Sequence, residues 1–431
     1  MAVEGPFLCA HLHAAGVEQA DSHFYSAMLA SDGCIYYTLC THRYDKHGTM
    51  CRYDPSRNEV SVLWDFGQAF GETDTRTVSQ GKSHAPYYEL DGRLFFSTHV
   101  GYFAVTQDNR EVPAQSSPEG YAPYPGGHCA YYDLKTGKIT DLGIPVKGQG
   151  IITFNIDRQR QRLYMITWPN GHFVHYDLRT KRFHDFGPAF LDGEIGRGER
   201  YCILCRALAV QPQDGSVYFT HPDGSLHRYS YSRDALEEVG GVSLKRDILG
   251  QHDPHQPGSM VYHWREIFWH PEHQVFYGIH PHSGYLFTFD PAAGEIRLME
   301  RITARSLRQS GQYEPYRHGY GAVALGRDRQ TIYYLTGIPR PGFASPKNGL
   351  LRLTTYNLQS GRYDDWGTVR LEDGRYLALT HSIIPHPNGR LYAVPWLVSG
   401  AATPDHDPHQ VDLVSFDNPV ATGRAMARRK A

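Results

Sequence analysis

A chain of 431 residues with 43 Lys and Arg against 45 Asp and Glu carries a net charge of −2 and no basic block, which argues against a nucleic-acid footprint. Hydrophobic residues at 40% and charged residues at 20% exclude a disordered chain and suffice for a sizeable core. No run of about 18 apolar residues occurs, so no segment reads as a membrane span.

The N-terminal "MAVEGPFLCAHLHAAG" lacks a positive start and carries Glu4, which makes it a poor signal peptide. With seven cysteines, an odd number, the expectation is a reducing cytoplasm, or the periplasm or exterior if a leader was trimmed. Beyond this segment long amphipathic helical patterns are scarce. Short strand-like runs recur behind Asp-Gly, Asn-Gly or Pro: "SDGCIYYTL", "LDGRLFFSTH", "RQRLYMITW", "QDGSVYFTH", "EHQVFYGIH", "RQTIYYLTG" and "PNGRLYAVPW". Each is followed by a second strand ending in an aromatic phrase, at Tyr53, Tyr132, Tyr176, Tyr229, Phe289, Tyr356 and Phe416. A closing Asp-x-Gly follows at Asp65, Asp141, Asp185 and Asp365.

Seven units of about 45 to 60 residues, each a small antiparallel sheet, predict an all-β fold, a seven-bladed β-propeller. The last unit has no closing strand after Phe416, and "GPFLCAHLHA" near the N-terminus has no partner, so this N-terminal strand is expected to close the last blade. The expectation is a single domain over 1–431, with the N-terminal strand at 5–14. Its blades fall at 22–67, 83–143, 149–187, 205–240, 260–300, 318–367 and 380–418, and the tail at 419–431.

In such a fold the first strand of each blade starts at the face to which the second strand returns. The expected starts are His84, Gln149, Arg206, Arg265, His318 or Tyr320, and His381; the expected ends are His42, His99, Trp168, His221, His280 and Trp396. Turns add His128, His172 and His282. This gathers histidine, arginine and tryptophan on one rim, as a polar, aromatic-walled binding site requires. The rim so defined contains no Asp or Glu, which argues against a paired-carboxylate glycosidase, and the usual nucleophile, zincin and phosphate-loop motifs are missing. "HDPHQPGSMVYH" offers His252, His255 and His263 as candidate ligands of a divalent metal. Cys202 and Cys205 are spaced as a metal half-site without a second pair, and burial is the reading preferred for them.

Histidines and arginine without carboxylates suit an anionic sugar. Arginine and protonated histidine neutralise a uronate carboxylate and acidify the neighbouring C–H, a neutral histidine or a tyrosinate removes that proton, and an acid protonates the departing oxygen. Histidine titrates near about pH 6.5, which suits both proton transfers. Trp168 and Trp396 would stack on sugar rings.

The phrases "GKSHAPYYELDGRLFFSTH", "PGGHCAYYDLKTGKITDLGIPVKGQGI" and "RLYMITWPNGHFVHYDLRTKRFHDFG" resemble the seven-bladed β-propeller polysaccharide lyases, the ulvan and rhamnose–glucuronate lyases, with related propeller rhamnosidases. The likeness covers roughly residues 80–230. It implies a lyase that cleaves a uronate-containing poly- or oligosaccharide by β-elimination, with catalytic His84, His99 and Arg206, the arginine neutralising the carboxylate. A tyrosine is expected as well; Tyr201 is the candidate. The substrate-binding set would be His42, His128, Gln149, Trp168, His172, His221 and Trp396. The cofactor would be a divalent metal, Zn, Ca or Mn, or none. The expected partner is an anionic glycan or oligosaccharide, with no nucleic acid and no membrane. Gln149 also keeps open the oligogalacturonate lyases, propellers that hold manganese with three histidines and a glutamine. The alternatives are a rhamnosidase-like propeller glycosidase and a non-catalytic propeller that binds a glycan or a protein.

Overall fold

A computed structural model describes residues 7–108, 110–114, 117–314, 321–340, 349–398 and 410–423. Seven four-stranded antiparallel units follow one another along the chain. Blades 1 to 5 span Ala27–Asp65, Tyr88–Gly143, Gly150–Pro188, Ala209–Ser243 and Glu266–Arg301; blade 6 spans Ala322–Leu371. Blade 7 takes three strands from Ile384–Asp417 and its outermost from the N-terminus, Phe7–His13.

That N-terminal strand has two partners. Ala10 to His13 pair antiparallel with Phe416 to Leu413, and Phe7 to Ala10 pair parallel with Thr368 to Leu371 of blade 6. One segment therefore covers the free edge of blade 7 and joins it to its neighbour, which removes the edge an open ring would leave.

The strands form where the turn–strand phrases place them. In blade 2, Asp91 and Gly92 both have positive φ (51° and 71°), the backbone of a two-residue turn whose twist matches the strands on either side. Between blades the buried faces interlock through aromatic rings, as where Phe173 of blade 3 lies 5.7 Å from Phe219 and 5.6 Å from Tyr229 of blade 4.

Loop length separates the two faces of the disc. Connections from first to second strand and from third to fourth are short turns, such as 91–92, 178–181 and 291–294. The long connections that begin after Asp65, Ser97, Pro188, Ser243 and Arg301 all leave from the opposite face. That face also receives the strand ends where the polar residues gather. Among the described residues no helix is long and apolar enough to cross a membrane.

Candidate functional site

The mouth is organised around Phe24, a half-buried ring that the segment before blade 1 carries into the centre. His84 stacks on it at 4.5 Å and His381 at 5.5 Å; His42 and Trp396 lie at 6.4 and 6.3 Å. The Lys82 ammonium sits between Phe24 (4.8 Å) and Phe103 (4.6 Å). Blades 1, 2 and 7 thus converge on one ring.

His84 and His99 stand 5.6 Å apart, ring centre to ring centre, and His99 lies 5.3 Å from Trp168 of blade 3. His84 Nδ1 donates to the carbonyl of Ile152 at 2.9 Å. A carbonyl can only accept, so the proton is on Nδ1 and the lone pair on Nε2. Burial holds both imidazoles well below the ordinary histidine range, and the cations Arg206 and Lys82 add to the effect, as do His99 and Arg265 for His84 and His42 for His99. Two neutral bases therefore sit side by side among cations.

The two arginines of the mouth differ. Arg206 pairs with Glu194 at 2.7 Å, and the same carboxylate accepts Trp168 Nε1 (2.9 Å) and the Leu204 amide (3.0 Å). The charge of Arg206 is thus matched by a carboxylate of the fold. Arg265, only 4% exposed, donates through Nε to the Tyr25 hydroxyl at 2.6 Å, and one terminal nitrogen faces Met260 Sδ at 3.6 Å. Among the described residues no carboxylate lies within ion-pair distance of it. A buried guanidinium without a counter-ion is the feature an anionic ligand would complete.

The remaining candidates divide. His42 belongs to the mouth: its Nδ1 donates to Asp21 at 2.7 Å, its backbone amide donates to the other oxygen at 2.9 Å, and its ring meets Phe103 edge-on. Trp168 and Trp396 are buried and brace the site from behind, with Trp396 Nε1 on the Asp21 carbonyl at 2.9 Å. Phe24 and Phe103 are the more exposed rings of the mouth. Tyr201 is buried with Ile203, Met260 and Val261, and burial pushes its phenol up. It makes no ring contact with the Phe24 group among the described residues; Tyr25 is the tyrosine at the mouth, 5.0 Å from His381.

The turn residues lie apart from that group. Gln149 Oε1 accepts from Thr167 Oγ1 at 2.7 Å. His128 is held between Glu72 and Asp141, each at 2.9 Å, and stacks on Phe70. His172 pairs with Asp185 at 2.9 Å. His221 lies between Phe190 and His227, where burial pushes it down to about 3.

The expected metal triad does not assemble. Both ring nitrogens of His263 are engaged, Nδ1 with Thr220 Oγ1 (2.8 Å) and Nε2 with the Ile203 carbonyl (3.0 Å), while His252 Nε2 bonds to the Leu249 carbonyl. His255 Nδ1 faces the Tyr201 carbonyl at 3.4 Å. Among the described residues no group of three metal-ligating side chains occurs. Cys202 and Cys205 are buried free thiols. His318 and Tyr320 lie outside the described residues.

Carboxyl groups reach this centre after all: Asp21 and Glu194 as above, and Glu266 beside Arg265 on the innermost strand of blade 5. Asp21 and Glu194 stand on connecting segments that carry no repeat phrase. Phe24 and Tyr25 had a legible signal, since "SHFY" occupies in blade 1 the place "SHAP" holds in blade 2. The blade 1 histidine, His23, is fully buried against the Thr38 carbonyl and Ser382.

No protein-family model matches the chain, and no curated protein matches it in sequence. Solved structures do match in shape. A chain of the mitotic checkpoint complex aligns with TM-score 0.51 at 11% identity, over 96% of this chain and 98% of that one. Virginiamycin B lyase from Staphylococcus aureus aligns with TM-score 0.49 at 9% identity, over 95% and 98%. A chain of the nidogen–laminin complex gives 0.38 at 10% identity, over 64% and 84%. What is shared is the propeller. At such identities the likeness concerns fold alone, and the likeness in phrasing to the propeller polysaccharide lyases has no matching family model behind it.

Proposed function

We propose that the mouth binds a uronate-containing oligo- or polysaccharide and cleaves it by β-elimination. The observation that carries this reading is Arg265, a buried guanidinium with no carboxylate partner among the described residues, on the same tyrosine whose ring lies 6.5 Å from His84. A uronate carboxylate on Arg265 supplies the missing charge and acidifies the adjacent C–H. His84, fixed as the Nδ1–H tautomer, takes that proton on Nε2. The electron pair forms the new C=C bond, the C–O bond opposite breaks, and the departing oxygen takes a proton. Lys82 adds positive potential beside the neutral His99.

The test is ultraviolet absorbance of the unsaturated uronate product on a panel of ulvan, rhamnose-capped arabinogalactan and oligogalacturonate, with their oligosaccharides. A rise with the wild type that His84→Ala abolishes supports the reading. A flat trace across the panel from folded protein overturns it and leaves glycosidase and binding roles, which reducing-sugar release separates.

A further inference from the structure

Where blades 5 and 6 meet, a small pocket with room for about one water is lined by Arg265, Glu266, Ile279, Pro281, Gly321, Val323 and Tyr334. Glu266 is its only carboxyl group. Both Glu266 oxygens lie 3.3 Å from a single donor, the Val323 amide, and no Lys, Arg or His stands within ion-pair distance among the described residues. Other buried carboxyl groups here are saturated: Glu314 accepts from Thr303, Tyr334 and Thr336, at 2.7 to 2.8 Å. Glu266 has one long bond and lines the pocket.

Gly321 lines the same pocket against Tyr334. A methyl group there would stand 2.7 Å from the Tyr334 ring and 2.8 Å from its hydroxyl, so only glycine leaves both the ring and the pocket in place. The ionisable groups that interact electrostatically with Glu266 are Arg265 just before its strand, Tyr25 from the segment before blade 1, Tyr88 of blade 2 and Tyr334 of blade 6. Only Arg265 among them is charged near neutral pH.

We propose that Glu266 is the proton donor of this mouth, giving its carboxyl proton to the oxygen that departs when the ligand's C–O bond breaks. This rests on the β-elimination reading and completes it. His84 Nε2 takes the carbon-bound proton; its electron pair becomes the C=C bond; the C–O pair stays on the departing oxygen, which takes the proton of Glu266. The enzyme is left with an imidazolium and a carboxylate, the carboxylate beside Arg265, and one proton passing through solvent from His84 to Glu266 restores both. Burial pushes the Glu266 carboxyl well above the usual carboxylate range, the direction a proton donor needs.

Two measurements on the full chain test this. The first is infrared difference spectroscopy of the wild type against Glu266→Gln at pH 7. A protonated-carboxyl band present only in the wild type is expected, and its absence overturns the proposal whatever the activity. The second compares leaving groups on C4 of a uronate. Glu266→Gln should slow release of a sugar alcohol by about 100-fold or more while leaving release of a nitrophenol, which needs no acid, within a few-fold. Equal slowing of both, or of neither, overturns the proposal. A neutral Glu266 in a protein inert towards every uronate would instead count against the β-elimination reading alone.

Discussion

Gly150 has no side chain because His99 occupies the space: a Cβ there would lie 2.0 Å from Nδ1 of the imidazole. Gly150→Ala must therefore push His99 from its place between His84 and Trp168, at about 1–3 kcal/mol in stability. Thermal melting and the histidine resonances of the variant check this, and unchanged His99 shifts would contradict it. At the same scale Arg206 and Glu194 are a buried pair, with side chains 9% and 6% exposed. Removing one charge strands the other, so Arg206→Met alone should cost about 3–5 kcal/mol. Adding Glu194→Gln to it should restore part of that loss in denaturant unfolding, because a neutral amide replaces the stranded carboxylate. If the two single losses simply add, the pair is not the unit described here.

Among the elements, the short helix Phe66–Phe70 after blade 1 is docked on blade 2 by His128, which stacks on Phe70 at 4.1 Å and bridges Glu72 to Asp141. Burial alone would lower this histidine, but the two carboxylates outweigh it and push it up to about 9. A raised pKa means the imidazolium stabilises the fold fully below its unfolded value of about 6.5, and that contribution is lost as pH rises through about 9. Stability measured from pH 6 to pH 10 should therefore fall across this window, with a smaller fall in His128→Gln. An identical slope in both proteins would contradict the docking role. The strands themselves were legible because each is bounded by turn residues whose backbone demands are local, as Asp91–Gly92 shows. Strand ends are legible as positions on a rim, and His84, His99 and Arg206 fall on it. Their partners were not legible. Glu194 meets Arg206 from the 189–208 connection, where no periodicity marks which side chain turns inward. The metal reading of His252, His255 and His263 failed for a related reason: spacing shows the imidazoles but not the carbonyls and hydroxyl that occupy their nitrogens.

For the whole molecule, ring closure depends on Phe7–His13 alone covering the last blade and meeting blade 6. Deleting residues 1–13 should expose the edge of Leu413–Asp417 and produce a lower melting temperature with association through that edge. A monomer of unchanged melting temperature would mean that the strand does not close the ring. The long connections among the described residues leave from one face, whose centre combines buried histidines with a guanidinium that has no carboxylate partner among the described residues, and the proposed uronate site lies there. The most direct test is calorimetric titration of a uronate oligosaccharide, a glucuronate-containing one first, into the wild type and Arg265→Gln. The account predicts binding by the wild type and a loss of about 30-fold or more in the variant, the cost of removing one side of a buried carboxylate–guanidinium pair. Equal affinity in the two proteins, or no uronate binding by the wild type, would contradict it.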